Sequence, residues 1–152
     1  MFTLLKDDLS HPQSRDLVVF HLAGMNDNVP PGATFLGLSD LMQPEVTVWS
    51  AWENGNIASI GALKRLPDDS GEIKSMRTHP DFAGRGAGKV ILQALIDAAR
   101  EEGIPRLSLE TGSGPSFAAA TALYVKFGFQ KGAAYSTHEQ TEFNHFMHLE
   151  LN

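Results

Sequence analysis

The chain has 152 residues, 42% of them hydrophobic, and a formal net charge of −6. This length and apolar content favour one domain spanning residues 1–152, with a core of ordinary size. The negative charge argues against non-specific nucleic-acid binding, which needs a broad basic surface. The sequence contains no cysteine, which excludes disulfides, thiolate metal sites and cysteine nucleophiles.

Membrane association is also not expected. No stretch reaches the roughly 18 to 20 apolar residues that a spanning helix needs. The apolar part of residues 1–6 is too short for a signal peptide. We therefore expect a cytoplasmic protein that acts without a membrane.

The first half of the chain predicts one helix and four strands. Residues 2–5 predict a short strand and residues 11–25 a helix. Prolines, a glycine and Asn/Asp residues indicate a loop at 26–33, and residues 37–42 suggest a helical turn. The remaining predicted strands form an antiparallel meander over residues 46–52, 57–63 and 72–78. Asn54-Gly55 favours a type I′ hairpin turn, which needs positive φ at both central residues.

The second half predicts a strand–helix–strand crossover. A helix over residues 86–102 ends at Gly103, and a strand follows at 106–110. Because such crossovers are right-handed, the strands at 72–78 and 106–110 should be parallel. A second helix is predicted from an N-cap at Ser116 through Phe127, followed by strands at 129–134 and 142–149.

A glycine-rich segment joins the third meander strand to the crossover helix. Gly84, Gly86 and Gly88 alternate with Arg85 and Ala87, and Lys89 follows. Glycines allow backbone N–H groups to approach a ligand closely, and a helix N-terminus adds unpaired donors and partial positive charge. The segment therefore predicts an anion site whose usual guest is a phosphate.

Two common phosphate motifs do not fit this segment. A dinucleotide fingerprint needs a third glycine where Ile91 stands, and it follows a parallel strand, whereas antiparallel strands precede this loop. A Walker loop needs Ser or Thr after Gly-Lys, but Val90 follows Lys89. A tight turn without a ligand is the remaining structural alternative.

Four ordered motifs resemble the GCN5-related N-acetyltransferase superfamily. They are Gly86-Ala87-Gly88 of the pyrophosphate signature, the strand Glu72-Ile73-Lys74-Ser75-Met76, the strand Leu107-Ser108-Leu109-Glu110-Thr111-Gly112, and Ala-Leu-Tyr-x-x-x-Gly-Phe at 122–129. The second and third are most similar to a bacterial subgroup without an assigned substrate. The resemblance implies an α/β (α+β) fold whose central mixed sheet is mostly antiparallel. It implies about seven strands, splayed between strands 4 and 5, and about four helices.

The resemblance implies acetyl-CoA as co-substrate. The six histidines show no metal-ligand spacing, so no metal is expected. The pyrophosphate would contact the loop residues Gly84, Arg85, Gly86, Ala87, Gly88 and Lys89. The pantetheine arm would pair with the backbone of Met76, Arg77 and Thr78, as an added strand does. The signature's Gln/Arg position falls on Ala83, so Arg85 is the local candidate to replace that side chain.

The resemblance also assigns the proton transfers. Tyr124 stands where the family places a tyrosine that protonates the leaving thiolate, although it also suits a core position. An ammonium with a pKa of about 10.4 needs a base near neutral pH. Glu72 stands at the position of the base in the histone-acetylating branch, and Glu110 ends the neighbouring strand. Both remain candidates.

The expected activity is acetyl transfer to a primary amine by direct attack in a ternary complex. The acceptor is a small molecule or a peptide, and the sequence does not distinguish them. One alternative is a non-catalytic acyl-CoA sensor or interaction module, and another is a different nucleotide at the loop. A homodimer is compatible with the sequence.

Overall fold

The computed structural model describes residues 2–27, 38–112, 115–135 and 144–151. Within these residues one seven-stranded sheet has the order β1-β2-β3-β4-β5-β7-β6. Its strands are β1 Thr3–Asp7, β2 Val46–Glu53, β3 Asn56–Arg65, β4 Gly71–Thr78, β5 Arg106–Gly112, β6 Gln130–Gly132 and β7 Asn144–Glu150. Only the β4–β5 pairing is parallel, so the predicted mixed, mostly antiparallel sheet is confirmed.

Three α-helices and a 3₁₀ helix flank the sheet in the described residues. They are α1 Pro12–Asp27, α2 Ala87–Glu101, α3 Pro115–Lys126 and the 3₁₀ helix Leu38–Met42, with a further short 3₁₀ turn at Pro80–Phe82. The predicted helical turn near residue 40 is therefore confirmed. None of the described helices is long and apolar enough to cross a membrane.

Local turn chemistry explains most of the agreement. Asn54 and Gly55 both have positive φ, 52° and 79°, as the hairpin prediction requires. The predicted cap at Ser116 is wrong, because α3 already begins at Pro115 and proline suits the first helical position. The loop predicted at 26–33 begins later, since α1 continues through Asp27, and the rest of that loop lies outside the described residues.

The last strands differ most from prediction. Strand β6 covers three residues, not the six predicted over 129–134, and β7 starts at Asn144. Residues 142 and 143 of the predicted final strand lie outside the described residues.

Two apolar layers cover the two faces of the sheet. On one face Leu92 and Leu95 of α2 pack with Ile73 of β4 and Leu109 of β5. On the other face Leu17 and Val18 of α1 pack against β2 and β3. Because side chains alternate along a strand, residues next to Ile73 and Leu109 point away from α2.

Candidate active site

Strands β4 and β5 separate soon after they begin to pair. The registered pairs are Gly71–Leu107, Glu72–Ser108 and Ile73–Leu109. Strand β4 continues to Thr78 and β5 to Gly112 without further pairing between them. The predicted splay between strands 4 and 5 is confirmed, and the β4 backbone beyond Ile73 forms an edge inside the sheet.

A β-bulge lies where β4 leaves β5. Ile60 of β3 is opposite Arg77, but Ala62 is opposite Lys74, so β4 carries one extra residue. Ser75 in this bulge has φ 58°, a left-handed conformation that is uncommon for a residue with a side chain. Bulges bend a strand and strengthen its twist, which accounts for the divergence.

The glycine loop leads into the start of α2. Gly84 and Gly86 have φ 75° and 84°, and Gly86 precedes the helix without a side-chain cap. The first N–H groups of a helix have no acceptor within the helix, and the helix dipole makes this end positive. The start of the helix therefore presents the backbone N–H groups of residues 86–89 as a cradle for an anion, whereas the Arg85 N–H, expected among these donors, donates to the Phe82 carbonyl at 3.3 Å.

This cradle lies beside the far end of the free β4 edge. A Cβ atom on Gly88 would lie 3.3 Å from Thr78 Oγ1 and 3.6 Å from Leu123 Cδ2. The buried Ser59 hydroxyl donates to the Ala87 carbonyl at 2.9 Å, which fastens the helix start to β3. An anion at the helix and an extended chain along β4 would therefore be contiguous.

The Arg85 side chain is directed toward the end of β2. Its Nη2 lies 2.6 Å from Glu53 Oε1, and its guanidinium lies 5.2 Å from the Phe82 ring centroid and 5.7 Å from that of Phe2. The hydrogen bond from Arg85 lowers the pKa of Glu53. The side chain expected to replace the one missing at Ala83 is thus engaged with another partner.

The side chains of Met76 and Arg77 hold the free strand from opposite faces. Met76 packs toward α2, with its Sδ 2.6 Å from where a Cβ on Gly61 would be. Arg77 Nε donates to Nδ1 of the buried His21 on α1 at 3.1 Å. Burial, followed by the charge of Arg77, lowers the pKa of His21 to about 4, so its imidazole is neutral. The backbone of β4 is therefore fixed while its edge faces the gap.

Tyr124 projects from α3 into the core beside the gap. It is 6% exposed, and its ring lies 5.7 Å from that of Phe129. Among the described residues its hydroxyl has no hydrogen-bond partner. Burial raises the pKa of Tyr124, so the phenol retains its proton and remains a donor.

The two predicted acids lie on the sheet face opposite α2. Glu72 adjoins Ser108 in the β4–β5 register and is 5% exposed. Glu110 follows Ser108 by two residues, so it shares that face, and it is half-buried one residue beyond the last registered pair. The structure thus brings both carboxylates to the point of divergence.

Tyr135, just after β6, is a site residue that sequence reasoning missed. Its hydroxyl donates to Glu72 Oε2 at 2.7 Å across 63 positions of sequence. Burial raises the pKa of Tyr135, and the charges of Glu72 and Glu110 and the presence of Tyr124 raise it further. No local motif marks this residue, because only the return of the chain through β6 brings it to β4.

Residues of β5 and β7 support the Tyr135 ring. The ring makes edge contacts with Phe146 at 5.6 Å and His148 at 5.8 Å between centroids. His148 is itself held at both nitrogens, with Nδ1 2.8 Å from Ser108 Oγ and Nε2 2.8 Å from the Ala133 carbonyl. In the described part of the chain no three His, Asp or Glu side chains form a group that could hold a metal.

Comparisons with known proteins agree with this geometry. Residues 15–129 match the model of the acetyltransferase (GNAT) family. The chain is 41% identical over 152 residues to the uncharacterized N-acetyltransferase YedL of Escherichia coli (strain K12), covering 99% of this chain and 96% of that one. It is 49% identical over 125 residues to the uncharacterized N-acetyltransferase YsnE of Bacillus subtilis (strain 168), covering 82% and 83%.

Solved structures show the same fold at lower identity. A Klebsiella pneumoniae protein assigned as an acyl-CoA N-acyltransferase superposes with a TM-score of 0.81 at 24% identity, covering 100% of this chain and 99% of that one. A GNAT family acetyltransferase from Elizabethkingia anophelis with acetyl-CoA bound gives 0.73 at 18% identity, covering 99% and 98%. With the family match and the YedL and YsnE relatives, the splayed sheet and its glycine cradle place this chain in the GNAT family of N-acetyltransferases.

Proposed function

We propose that the gap between β4 and β5 transfers acetyl from acetyl-CoA to a primary amine by direct attack in a ternary complex. The observation that carries this proposal is the free edge of β4, which ends beside the uncapped start of α2. Tyr124 stands on the α2 side of the gap and two carboxylates on the other. Residues 1–152 would act as one catalytic domain.

The coenzyme would be held by backbone groups. The N–H groups of residues 86–89 suit the pyrophosphate. The edge of residues 76–78 that faces away from β3 does not pair with β5, and it suits the amide-containing pantetheine arm. We call these groups the backbone cradle. The acetyl-CoA-bound Elizabethkingia structure shares the fold that forms it and supports this assignment.

When bound, acetyl-CoA supplies a thioester that is already activated, and its thiolate is the leaving group. Tyr124 is proposed to donate its proton to that sulfur, since its hydroxyl has no described acceptor and remains protonated. The chain has no cysteine, so it cannot form a thioester-linked acetyl-enzyme. Positioning and proton transfer are therefore the contributions of the protein.

The amine must lose a proton before it attacks. Glu72 and Glu110 are the proposed proton acceptors, because they lie on one face at the divergence of the strands. Their negative charges also attract a cationic acceptor. The acceptor is proposed to be a small molecule or a peptide, and a cytoplasmic location and a homodimer remain predictions from the sequence.

A thiol-release assay tests the proposed function. Purified protein is mixed with acetyl-CoA and a panel of primary amines, peptides and aminoglycosides, and free coenzyme thiol is followed over time. We expect at least one amine to accelerate release and to yield its N-acetyl product by mass spectrometry. Coenzyme binding without acceleration by any acceptor would favour the acyl-CoA sensor, and tighter binding of ADP than of coenzyme A would favour a different nucleotide.

A further inference from the structure

The hydroxyl of Tyr135 bonds Glu72 close to the point where β4 and β5 diverge. A phenol has one hydrogen to donate and two lone pairs. The single hydrogen is directed to Glu72 Oε2 at 2.7 Å. Because that hydrogen is committed to Glu72, the oxygen can act toward a ligand only as a hydrogen-bond acceptor, as an amine donor requires.

Tyr135 also joins the buried Glu72 carboxylate to the other side chains near the gap. Glu72 is 5% exposed, so a bulky acceptor has little direct access to its oxygens. The hydroxyl of Tyr135 is close enough to Glu110 and Tyr124 for both to raise its pKa. An ammonium group beside Tyr135 would therefore meet two negative charges and lie near the tyrosine assigned to the leaving sulfur.

We propose that Tyr135 accepts a hydrogen bond from the acceptor amine and relays the amine's proton to Glu72. The inference rests on the proposed acetyl transfer. An N–H bond of the ammonium breaks as an O–H bond forms on Tyr135, while the original O–H bond of Tyr135 breaks as that proton passes to Glu72 Oε2. Ammonium and carboxylate become amine and carboxylic acid, and Tyr135 is neutral before and after.

The environment of Tyr135 favours a concerted transfer. Burial and the neighbouring carboxylates raise the pKa of Tyr135, so a free phenolate is disfavoured and the two protons move together. The edge contacts with Phe146 and His148 fix the ring, and the two bonds of His148 fix its own orientation. The relay therefore favours primary aliphatic amines, which are protonated near neutral pH.

The first test is Tyr135→Phe, which keeps the ring and removes the hydroxyl. We expect kcat to fall about 100-fold, within the range of general base catalysis. The dissociation constant of coenzyme A and the far-ultraviolet circular dichroism should match those of the wild type. A kcat within about threefold of the wild type, measured on folded protein, would overturn the relay.

The pH profile separates a relay from a structural role. Wild-type kcat/KM should level off once the carboxylate is ionised. In Tyr135→Phe it should rise about tenfold per pH unit toward the amine's own pKa of about 10.4, because only free amine can react. An unchanged profile with an altered KM would mean that Tyr135 only shapes the binding site of the acceptor amine.

Other titratable or charged groups on β4 and on the elements around it can also shape the pH profile. They are Lys64 on β3, Lys74 on its own strand, Glu110 on β5, Tyr124 on α3, His148 on β7, and the Arg77–His21 pair that joins β4 to α1. Gln130→Ala on β6 is the control, because the Gln130 side chain is exposed and, among the described residues, makes no contact with Tyr135 or Glu72. Its profile should follow the wild type.

Glu72→Gln provides a second, independent test. The amide still accepts a hydrogen bond but cannot take a proton, so this variant should show the same sloping profile. Because both residues belong to one relay, the double variant should lose no more than either single variant. If the fold-losses of activity in the two single variants multiply in the double variant, the relay is contradicted. A wild-type protein that acetylates no amine would instead refute the proposed function itself.

Discussion

The two sides of the gap are built from different parts of the polypeptide. The proposed backbone cradle consists of N–H and C=O groups along residues 76–78 and N–H groups along residues 86–89. The proposed proton-handling cluster consists of four side chains that come from four separate segments, namely Glu72, Glu110, Tyr124 and Tyr135. The cradle therefore tolerates changes of side chain that keep the backbone path, and the cluster does not.

This difference also separates two kinds of sequence information. A cradle leaves a local signature, because glycines and a helix start must follow one another along the chain. A cluster of side chains is distributed over distant segments. Its members can therefore be recognised as one site only when the sheet order is known. Substitutions in the two regions should therefore change different measured quantities.

The largest expected effect is on the cluster side, from Tyr124→Phe. Loss of the hydroxyl removes the proposed proton donor to the thiolate, and kcat should fall about 100-fold to 1,000-fold. Since the cradle is unchanged, the dissociation constant of coenzyme A should not change. Steady-state kinetics and calorimetry on the same preparation measure both quantities, and a kcat close to that of the wild type would exclude Tyr124 as the acid.

Lowering the pH should reduce the stability of the fold through His21, which accepts a hydrogen bond from Arg77 of β4. Burial and then the charge of Arg77 lower the pKa of His21 from 6.5 to about 4. Between these pH values His21 is therefore protonated in the unfolded chain and neutral in the folded chain. Stability therefore falls as pH drops from 6.5 toward 4, by about 3 kcal/mol in total.

Urea unfolding between pH 7 and 4.5 checks this prediction. His21→Asn keeps an acceptor for Arg77 but does not titrate, so its stability should depend less steeply on pH than that of the wild type. Equal slopes in the two proteins would show that His21 is not the group responsible.

Two glycines at opposite ends of α2 test the cradle itself. Gly86 and Gly103 have φ 84° and 74° and open space where a Cβ would lie, so alanine should cost about 1 to 2 kcal/mol of stability at either position. Only Gly86→Ala should also weaken coenzyme A binding, by about tenfold or 1.4 kcal/mol. Calorimetric titration of both variants decides this, and equal affinities would mean that the Gly86 backbone does not shape the anion site.

The smallest effect is expected from Arg85→Ala. Because the guanidinium is bonded to Glu53 and packed against two rings, its loss should change the dissociation constant of coenzyme A by less than about threefold. Glu53→Gln weakens the same bond from the other side and should behave alike. A tenfold loss of affinity in Arg85→Ala would mean that this side chain turns to the pyrophosphate and compensates for Ala83.

The fold and the cradle were largely predictable from the sequence. Alternating apolar strands, Asn54-Gly55 and the glycine loop are local signals, and the crossover fixed the parallel pair. Glu72, Glu110 and Tyr124 were recognised by their positions in motifs. Their relation to Tyr135 was not predictable, because it depends on a contact across 63 residues and on the short strand β6. The engagement of Arg85 by Glu53 likewise needed the structure.

Coenzyme A binding by the cluster variants is the most direct measurement of the central claim. Coenzyme A would be titrated by calorimetry into the wild type and into four variants, Tyr124→Phe, Tyr135→Phe, Glu72→Gln and Glu110→Gln. If the backbone holds the coenzyme and the side chains move protons, all four dissociation constants should stay within about threefold of the wild type, under 1 kcal/mol, even in variants that transfer acetyl about 100-fold more slowly. Dissociation constants that rise in proportion to the loss of activity would contradict the division between cradle and cluster.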